Sequence, residues 1–502
     1  MDDHEQGQQA TIAFLKSRLG DAIDEIRTHI SVILLAPDRV WKLKRAVALP
    51  YVDLTEAGTR VALCERELRL NRETAPSLYR RVLRVTRGPH GLELDGNGEP
   101  IDAVVEMARF PAEDLFDRIA AESRLTGELT ARLAETIARF HGELPPVQDR
   151  AASRRLAAAI EGDERALRGH ARSLGAAAVD DYCARCREAF RALEDRLDAR
   201  GRSGAVVLGH GDLHLGNICL WEGAPTLFDR LEFDEELATV DRLYDLAFLL
   251  MDLGRRSLPE RANLLLNRYL DRIDDEAELA ALPLFMSVRA AIRAHVSASQ
   301  SKPHEASAFL ALAGDLLQPG VPMLVAIGGL SGSGKSTVAT ALAPHVGSRP
   351  GARVIGTDRM RKAMFGVAPE TRLPAEAYAR RVTDEVYAGL ARRAAAILNG
   401  GWSVIVEGTF LSANERARVQ SAATAAGAAF VGLWLDVDPG ALRRRVAQRR
   451  GDVSDADLSV LEAQLGVDLD AISWVRIDAS GSEEDVIRRA RDALSRPGPG
   501  GA

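Results

Sequence analysis

Apolar and polar residues alternate over two short stretches near the start of the chain, residues 29–35 and 39–44. A period of two predicts β-strands, and the turn at residues 36–38 would join them as a hairpin. Because side chains alternate along a strand, Lys42 and Lys44 should lie on one face of the second strand. Either lysine is a candidate to bind phosphate, and a pair of charges on an edge strand is the competing interpretation.

A helical pattern over residues 56–74 follows, after a weakly amphipathic helix at 8–19. The second helix carries Glu65, Glu67 and Glu73. One of these glutamates could pair with a strand lysine and hold it over a nucleotide. A solvated helix face is the alternative, and spacing alone does not select the pair.

Two further strands are predicted over residues 80–86 and 103–108, with a turn at 95–98 between them. The second strand runs into a helical region. Residues 106–108 are therefore predicted to be a hinge whose backbone could bond an adenine ring.

The region of residues 112–200 has apolar residues at helical spacing, and helices continue to about residue 317. A very apolar helix is predicted at 243–251. Asp241 and Asp245 lie one turn apart near its start. We expect them to cap this helix and brace its surroundings rather than to take part in catalysis.

A break at residues 318–322 separates this pattern from a different one. Short apolar runs then alternate with helices, which predicts a parallel sheet in a βα series. The predicted strands cover residues 323–327, 353–356, 402–407, 429–437 and 472–478.

The predicted fold class is an α+β two-lobed domain followed by an α/β domain with a parallel sheet. The predicted domains are residues 1–317 (small lobe about 1–107, large lobe about 108–317), a linker at 318–322, a second domain at 323–496 and a Pro/Gly-rich disordered tail at 497–502.

Length and composition limit the number of domains, the class of binding partner and the cellular compartment that we expect for this chain. At 502 residues it is long enough for two or three domains, and its net charge of −7 argues against a general nucleic-acid or membrane binder. The N-terminal sequence predicts no signal peptide, and no uninterrupted apolar run reaches membrane-spanning length. Cys183 and Cys186 form one Cys-x-x-Cys without a second pair, so reduced thiols in a cytoplasmic protein are expected.

The stretch from His210 to Asn217 has the spacing of a kinase catalytic loop. In such a loop, an Asp takes the proton of a substrate hydroxyl and an Asn five residues later holds Mg²⁺. Asp212 and Asn217 are those residues here, and Asp229, at the end of a short strand, would be the main metal ligand. A polar turn between two strands is the alternative.

The break is followed by a strand, a glycine-rich loop and an apolar helix, with the complete G-x-x-x-x-G-K-[ST] motif. Its backbone N–H groups and the helix N-terminus would hold the phosphates of ATP. Lys335 would reach the outer phosphates, and Ser336 would ligate Mg²⁺. The predicted nucleotide-binding residues are Gly329, Leu330, Ser331, Gly332, Ser333, Gly334, Lys335, Ser336 and Thr337.

Several polar residues lie at carboxyl ends of the predicted parallel strands, where sites of such sheets form. Asp358 and Arg361 follow the second strand, and Glu407 ends the third, where it could hold Mg²⁺ or its water. Asp436 ends the fourth and is equally a candidate helix cap.

The helix over residues 441–450 adds Arg445 and Arg449 on one face, where they could clamp a phosphoryl group. An exposed basic helix is the alternative.

Residues 20–310 resemble the aminoglycoside phosphotransferase-like, or choline-kinase-like, family of small-molecule kinases. The resemblance lies in His210-Gly211-Asp212, Asn217, Asp229 and the pair Asp241 and Asp245. It implies that Lys42 is the nucleotide-binding lysine and that Glu67 is its partner.

Residues 322–496 resemble P-loop kinases of the group that includes gluconate kinases, zeta-toxin-like kinases and polynucleotide 5′-kinases. The shared features are the P-loop, the stretch at 357–361 and the series Arg445, Arg449, Asp452 and Ser454-Asp455-Ala456. This resemblance implies that Asp358 activates the acceptor hydroxyl. The order of the two parts is similar to a bacterial fusion described as bifunctional aminoglycoside phosphotransferase/ATP-binding protein.

The leading hypothesis is an ATP-dependent phosphotransferase with two ATP/Mg²⁺ sites and small-molecule hydroxyl acceptors. One alternative is that one domain is a nucleotide sensor or a degenerate kinase that regulates the other. A second alternative makes the C-terminal domain a nucleic-acid 5′-end kinase, against which the acidic net charge argues. The acceptors and the oligomeric state are not determined by the sequence.

Overall fold

The structure is a computed structural model that describes residues 3–49, 52–318, 320–367, 371–448, 455–469 and 471–494. The chain forms two compact units. The first consists of Met1–Ala158 and Leu197–Asp252, and the second consists of Ala159–Arg196 and Leu253–Ala502. The domain boundaries given above stay a prediction.

The first half of the chain contains the helices α1 Asp3–Leu19, α2 Ala57–Arg72, α3 Phe116–Ala121, α4 Gly127–Glu143, α5 Ala152–Gly169, α6 Ala171–Leu174, α7 Ala176–Arg202, α8 Glu235–Ala238 and α9 Arg242–Arg255. Its strands are β1 Asp24–Arg27, β2 Ser31–Leu35, β3 Arg39–Lys44, β4 Ala48–Leu49, β5 Val52–Asp53, β6 Tyr79–Gly88, β7 Gly91–Leu94, β8 Glu99–Ala108, β9 Val206–Leu208, β10 Ile218–Trp221, β11 Ala224–Leu227 and β12 Thr239–Asp241.

The second half contains the helices α10 Pro259–Leu270, α11 Leu282–Ser299, α12 Pro303–Leu316, α13 Lys335–Leu342, α14 Thr357–Met364, α15 Arg380–Asn399, α16 Ala413–Ala425, α17 Pro439–Ala447, α18 Leu458–Leu465 and α19 Glu483–Leu494. Its strands are β13 Met323–Gly328, β14 Arg353–Gly356, β15 Val404–Glu407, β16 Ala429–Asp436 and β17 Val475–Asp478.

A six-stranded antiparallel sheet organises the first unit, in the order β1-β2-β3-β8-β6-β7. The hairpin predicted from alternation is confirmed as β2 and β3, with Lys42 opposite Ile33. The outer strands β1 and β7 were not predicted. β1 has the sequence Asp-Glu-Ile-Arg and is mostly exposed, so it lacks the apolar alternation that marks a half-buried strand.

Helix α2 packs against one face of this sheet, and its buried side is unusually polar. Its buried residues are Arg60, Cys64, Glu67, Leu70 and Asn71. Buried polar groups need partners, because desolvation without a hydrogen bond or ion pair is costly. The polar face of α2 therefore indicates a side-chain network beneath the sheet.

The second unit contains a five-stranded parallel sheet in the order β14-β15-β13-β16-β17. All five predicted strands are present, and β14 has the predicted bounds. Its core includes Val325, Ile327, Ile405 and Leu433, each fully buried, as expected of strands covered on both faces.

The edge strand β14 is fixed by a buried arginine. Arg353 is 2% exposed and donates hydrogen bonds to Glu276 Oε2 at 3.1 Å, Asp271 Oδ1 at 2.8 Å and Asn267 Oδ1 at 3.0 Å. Glu276 also accepts from Arg393 Nη2 at 2.6 Å. Residues of α10 and of the 3₁₀ turn after it thus neutralise and hold the first residue of β14.

One segment of the described residues, Glu276–Ser299, is long and apolar enough to cross a membrane by length and composition. Of its apolar window, 67% is buried inside the structure. A mostly buried core helix of a soluble protein passes the same test, so the segment is weak evidence for a membrane span.

Replacing Arg353 by Leu should destabilise the second unit, because Asp271 and Glu276 would lose a buried cation. Removing one partner of a buried ion pair costs about 3–5 kcal/mol. Urea unfolding followed by tryptophan fluorescence measures the loss.

Arg476→Leu is the matched control, since Arg476 pairs with Asp436 in an exposed position. An exposed pair is worth about 0–1 kcal/mol, so similar losses in the two variants would contradict this interpretation.

Candidate active sites

The first candidate site is the loop between β9 and β10, where the predicted catalytic residues lie side by side. Asn217 Nδ2 donates to Asp212 Oδ2 at 2.9 Å and to the Asp212 carbonyl at 3.0 Å. His214 Nε2 lies 3.4 Å from Asp212 Oδ2. The loop therefore presents an aspartate and an asparagine together, as the spacing predicts.

A buried carboxylate braces this loop from below. Asp245 accepts the backbone N–H groups of His210 at 2.6 Å and Gly211 at 3.0 Å, and His141 Nε2 lies 3.2 Å from its Oδ2. Asp241 accepts the N–H of Leu243 at 2.8 Å at the start of α9. The predicted bracing and capping roles of Asp245 and Asp241 are confirmed.

Asp229, the predicted metal ligand, has a left-handed backbone with φ of 63°. Such a conformation is uncommon for a residue other than glycine and is held by its surroundings. The Asp229 N–H donates to Tyr79 Oη at 3.1 Å, and His210 Nε2 lies 2.9 Å from the carbonyl of Phe228. His210 thus joins the loop between β9 and β10 to the segment that leads from β11 to Asp229.

Charged side chains from three segments meet beside Asp229. Lys42 Nζ donates to Glu67 Oε1 at 2.8 Å and also contacts Asp229 Oδ1. Lys44 Nζ lies 2.6 Å from Glu67 Oε2 and contacts Glu232. Two lysines thus face three carboxyl groups, those of Glu67, Asp229 and Glu232.

The pKa shifts in this network follow from burial and charge. Burial alone would lower the pKa of Lys42, but the carboxylates of Asp229 and Glu67 raise it well above its usual value. Burial alone would raise the pKa of Glu67, yet Lys42 and Lys44 hold it below its usual value. Burial raises the pKa of Glu232. Lys42, Lys44 and Glu67 are therefore charged at neutral pH.

The structure resolves the choice between the two lysines. Both contact Glu67, but Lys44 is fully buried and contacts Glu232, whereas Lys42 contacts Asp229, whose side chain is 36% exposed. Lys42 is thus the lysine at the predicted metal ligand. Glu65 pairs instead with Arg84 in an exposed position.

The predicted hinge needs a correction. Residues 106–108 lie at the end of β8, between β3 and β6. The N–H of Ala108 donates to the carbonyl of Leu78 at 2.8 Å, so this amide is already used inside the protein. Leu78, which directly precedes β6, thus occupies a backbone N–H that the sequence analysis had assigned to an adenine ring.

Sequence reasoning missed Arg230, which joins three elements around the site. It is 1% exposed and its guanidinium donates to the carbonyls of Leu70 at 3.0 Å and Leu208 at 3.0 Å and to Glu73 Oε2 at 2.6 Å. Its backbone N–H donates to Asn71 Oδ1 at 2.9 Å. The sequence held one signal for the role of Arg230, since this arginine directly follows the predicted metal ligand Asp229.

The second candidate site is the loop between β13 and α13. Gly329, Gly332 and Gly334 have φ of 147°, 88° and 89°, which side chains rarely allow. A Cβ on Gly332 would lie 3.0 Å from Val446 Cγ2 of α17. The motif glycines therefore let the backbone curl closely against α17.

Two predicted metal-site residues meet where helix α13 begins and strand β15 ends. Ser336 Oγ donates to Glu407 Oε2 at 2.7 Å. Burial raises the pKa of Glu407, although the Ser336 hydrogen bond and Lys335 lower it. A Cβ on Gly356 would lie 2.7 Å from Glu407 Oε1, so the end of β14 packs directly on this carboxylate.

Lys335 and the remaining loop residues are also held in place. Lys335 Nζ donates to the carbonyl of Leu330 at 3.0 Å, and the N–H of Ser331 donates to Gln464 Oε1 at 2.9 Å. Ser333 is buried, whereas Thr337 is exposed on α13. These contacts fix the loop around the start of the helix.

Asp358 lies in the first turn of α14 and raises the pKa of Glu407, so the two carboxylates are close enough to interact. Arg361 is buried: its guanidinium donates to the carbonyl of Ala377 at 2.6 Å and stacks on Tyr378. Its predicted contact with a nucleotide stays a prediction.

The predicted lid arginines are only partly described. Arg445 Nη2 donates to the carbonyl of Ala479 at 3.1 Å, and Arg449 lies outside the described residues. From the same sequence stretch, Asp455 accepts from Lys362 Nζ at 2.8 Å and from Tyr378 Oη at 2.6 Å.

Asp436 is not a helix cap. It binds Arg476 Nη2 at 2.9 Å, and Asp438 caps α17 instead by accepting the N–H of Ala441 at 3.0 Å. The sequence placed two aspartates before Pro439, and the turn geometry selects the nearer one.

Both sites fit nucleotide and Mg²⁺ by their donor sets. Mg²⁺ in kinase sites takes one or two carboxylates, with waters and substrate phosphates as its other ligands. Asn217 with Asp229, and Ser336 with Glu407, supply such oxygens. Among the described residues no cluster of three His, Cys, Asp or Glu side chains forms an all-protein metal cage.

The fold and the sites define a protein with two kinase-like domains. The model of the phosphotransferase enzyme family matches residues 52–282, and an AAA domain model matches residues 324–467. The predicted fold class is confirmed: a two-lobed protein-kinase-like domain precedes a P-loop domain with a parallel sheet.

The chain is 31% identical over 491 residues to uncharacterized proteins of Mycobacterium tuberculosis and Mycobacterium bovis. The match covers 93% of this chain and 94% of each relative. The chain belongs to the family that these mycobacterial proteins represent, and the resemblance stated from its motifs is confirmed.

Solved structures of kinases resemble parts of the chain. A glucosamine kinase in complex with glucosamine, ADP and inorganic phosphate is 18% identical, with 63% of this chain and 84% of that chain covered and a TM-score of 0.38. A gluconokinase from Sinorhizobium meliloti 1021 is 22% identical, with 35% and 93% covered and a TM-score of 0.26.

Lys44→Met should destabilise the first unit by about 3–5 kcal/mol, because the buried Glu232 would lose the lysine it contacts. Lys42→Met should cost less than half of that, since Asp229 is partly exposed. Glu67 keeps one lysine in either variant. Urea unfolding of the two variants measures the difference. Equal losses would show that the two lysines have the same role in the fold.

Proposed function

We propose that the chain is an ATP-dependent phosphotransferase with two separate sites, each transferring the γ-phosphoryl group of ATP to a hydroxyl of a small molecule. The observation that carries the proposal is the contact of Lys42 with both Glu67 and Asp229. A lysine that contacts both carboxylates, close to the pair Asp212 and Asn217, supports the proposal that Lys42 binds nucleotide and that Asp229 binds Mg²⁺. A structural ion pair alone would not need Asp212 and Asn217 beside it.

In the first site, Asp212 would accept the proton of the acceptor hydroxyl. Lys42, held by Glu67, would bind the phosphates of ATP. Asn217 and Asp229 would hold Mg²⁺, which neutralises charge on the phosphates during transfer. The hydrogen bond from Asn217 to Asp212 would keep the aspartate aimed at the acceptor.

In the second site, the backbone of Gly329–Ser336 would bind the phosphates and Lys335 would follow the outer ones. Ser336 and Glu407 would hold Mg²⁺. Asp358 would accept the acceptor proton, and Arg361, Arg445 and Arg449 would assist phosphate binding. The short Ser336–Glu407 contact supports this assignment.

The proposed partners are small hydroxyl compounds such as sugars, amino sugars, aminoglycosides, amino alcohols and nucleosides, in a cytoplasmic setting without membrane. The net charge of −7 supports small molecules over nucleic acid as acceptors. Nothing in the chain selects one compound from this group.

Asp229→Asn and Lys335→Ala in the full chain should each remove one activity and leave the other. Turnover is measured with radiolabelled ATP and Mg²⁺ against a panel of those hydroxyl compounds. Each variant is the control for the other site, because the two residues lie in different compact units.

Loss of all transfer in either folded variant would contradict two independent sites and favour regulation of one domain by the other. Transfer to oligonucleotide 5′-ends, with binding that weakens steeply with salt, would identify a nucleic-acid end kinase instead.

Lys335→Ala should lower turnover at the second site far more than it weakens ATP binding. The backbone N–H groups of the loop remain, whereas the lost charge raises the barrier by about 3 kcal/mol, the scale of one preorganised electrostatic group. Kinetics and calorimetric ATP titration separate the two effects. Full turnover at the second site would contradict its kinase role.

A further inference from the structure

We propose that α10 and Asp271, which follows it, are a positioning element for the P-loop site, acting through the edge strand β14 and Arg359. The inference rests on the proposed function of that site. It adds residues from the segment matched by the phosphotransferase family to the machinery of the P-loop domain. All of these residues belong to the second compact unit.

The first step is the unpaired side of β14. This strand lies at the edge of the sheet, and β15 is its one partner among the strands that the structure describes. Asn267 Oδ1 accepts the N–H of Val354 at 2.8 Å, and Asn263 Nδ2 donates to the carbonyl of Ala352 at 3.0 Å. Two side chains of α10 therefore take the place of a neighbouring strand.

The second step is that the carboxylate of Asp271 bridges two arginines. Its Oδ1 accepts from Arg353 Nη2 at 2.8 Å, at the start of β14. Its Oδ2 accepts from Arg359 Nη1 at 3.0 Å, in the first turn of α14. One carboxylate thus holds both ends of the segment Arg353–Arg359.

The third step is what lies inside that segment. Asp358, the proposed base, is adjacent to Arg359, and Gly356 packs so closely on Glu407 that a Cβ would lie 2.7 Å from its Oε1. A small shift of β14 would therefore move Asp358 relative to Glu407 and Ser336. A misplacement of about 1 Å can cost about 100-fold in rate.

The role is one of positioning, because Asp271 contacts arginines and is not itself placed at the reacting groups. The loop between β13 and α13 is not part of its contacts. Loss of Asp271 should thus lower kcat and leave the affinity for ATP nearly unchanged.

The test uses the full chain with the first site disabled by Asp212→Asn and Asp229→Asn. It follows ADP formation from MgATP with the panel of hydroxyl compounds present as phosphoryl acceptors. Asp271→Asn should lower kcat about tenfold or more, with the KM for MgATP changed less than threefold. Asp274→Asn removes the same charge three residues further on, outside the hydrogen bonds of Arg353 and Arg359, and should leave both constants near parental.

Arg359→Gln breaks the same contact from α14, so it keeps the test valid if Asp271→Asn fails to fold. The double variant should be no slower than the slower single variant, because the contact that Arg359→Gln breaks is one of the two that Asp271→Asn weakens. Parental kcat in both single variants, additive losses, or a rise of KM alone would overturn the proposal.

Hydrogen exchange of the same full-length proteins gives a readout without turnover. Asn267→Ala and Asp271→Asn should accelerate exchange in β14 and α14, above all at the Val354 amide, and leave α13 unchanged. Unchanged exchange in β14 and α14 would overturn the proposal. Absence of ADP formation in the parent would count against the proposed function of the second site, and the exchange data would then decide the positioning separately.

Discussion

Glu67 is fully buried between two lysines, and the first site depends on this arrangement. A buried carboxylate is tolerated only when it is paired and hydrogen-bonded. Lys44 forms an ion pair with one of its oxygens, and Lys42 donates a hydrogen bond to the other while also contacting Asp229. Helix α2, strand β3 and the Asp229 segment are therefore fixed relative to one another by charge rather than by apolar packing alone.

The second unit uses the same kind of constraint at a different place. Arg353 is buried at the edge of the parallel sheet, and its partners come from the turn and helix before the sheet begins. Arg353 begins β14, and β14 ends at Gly356 against Glu407. In both units a buried ion network thus lies beside the residues of the candidate site.

Many of the strands and both candidate-site motifs were predictable because their signals are local. Alternation marked β2 and β3, apolar runs marked β13 and β15, and glycines with positive φ are required by the loop between β13 and α13. The hydrophobic pattern did not predict which residues are buried where the buried side chains are polar. The buried face of α2 carries Arg60, Glu67 and Asn71, which in isolation is indistinguishable from a solvated face.

Periodicity and motif spacing are local properties, so they were enough to predict the two fold classes, the order of the domains and the residue types at each site. Tertiary contacts alone show that Lys42 meets Asp229, that Arg230 joins α2 to β9, and that Asn267 and Asp271 complete the edge of β14. These pairs are separated by tens to hundreds of residues along the chain. Only folding brings them within hydrogen-bonding distance, so no local pattern could have selected them.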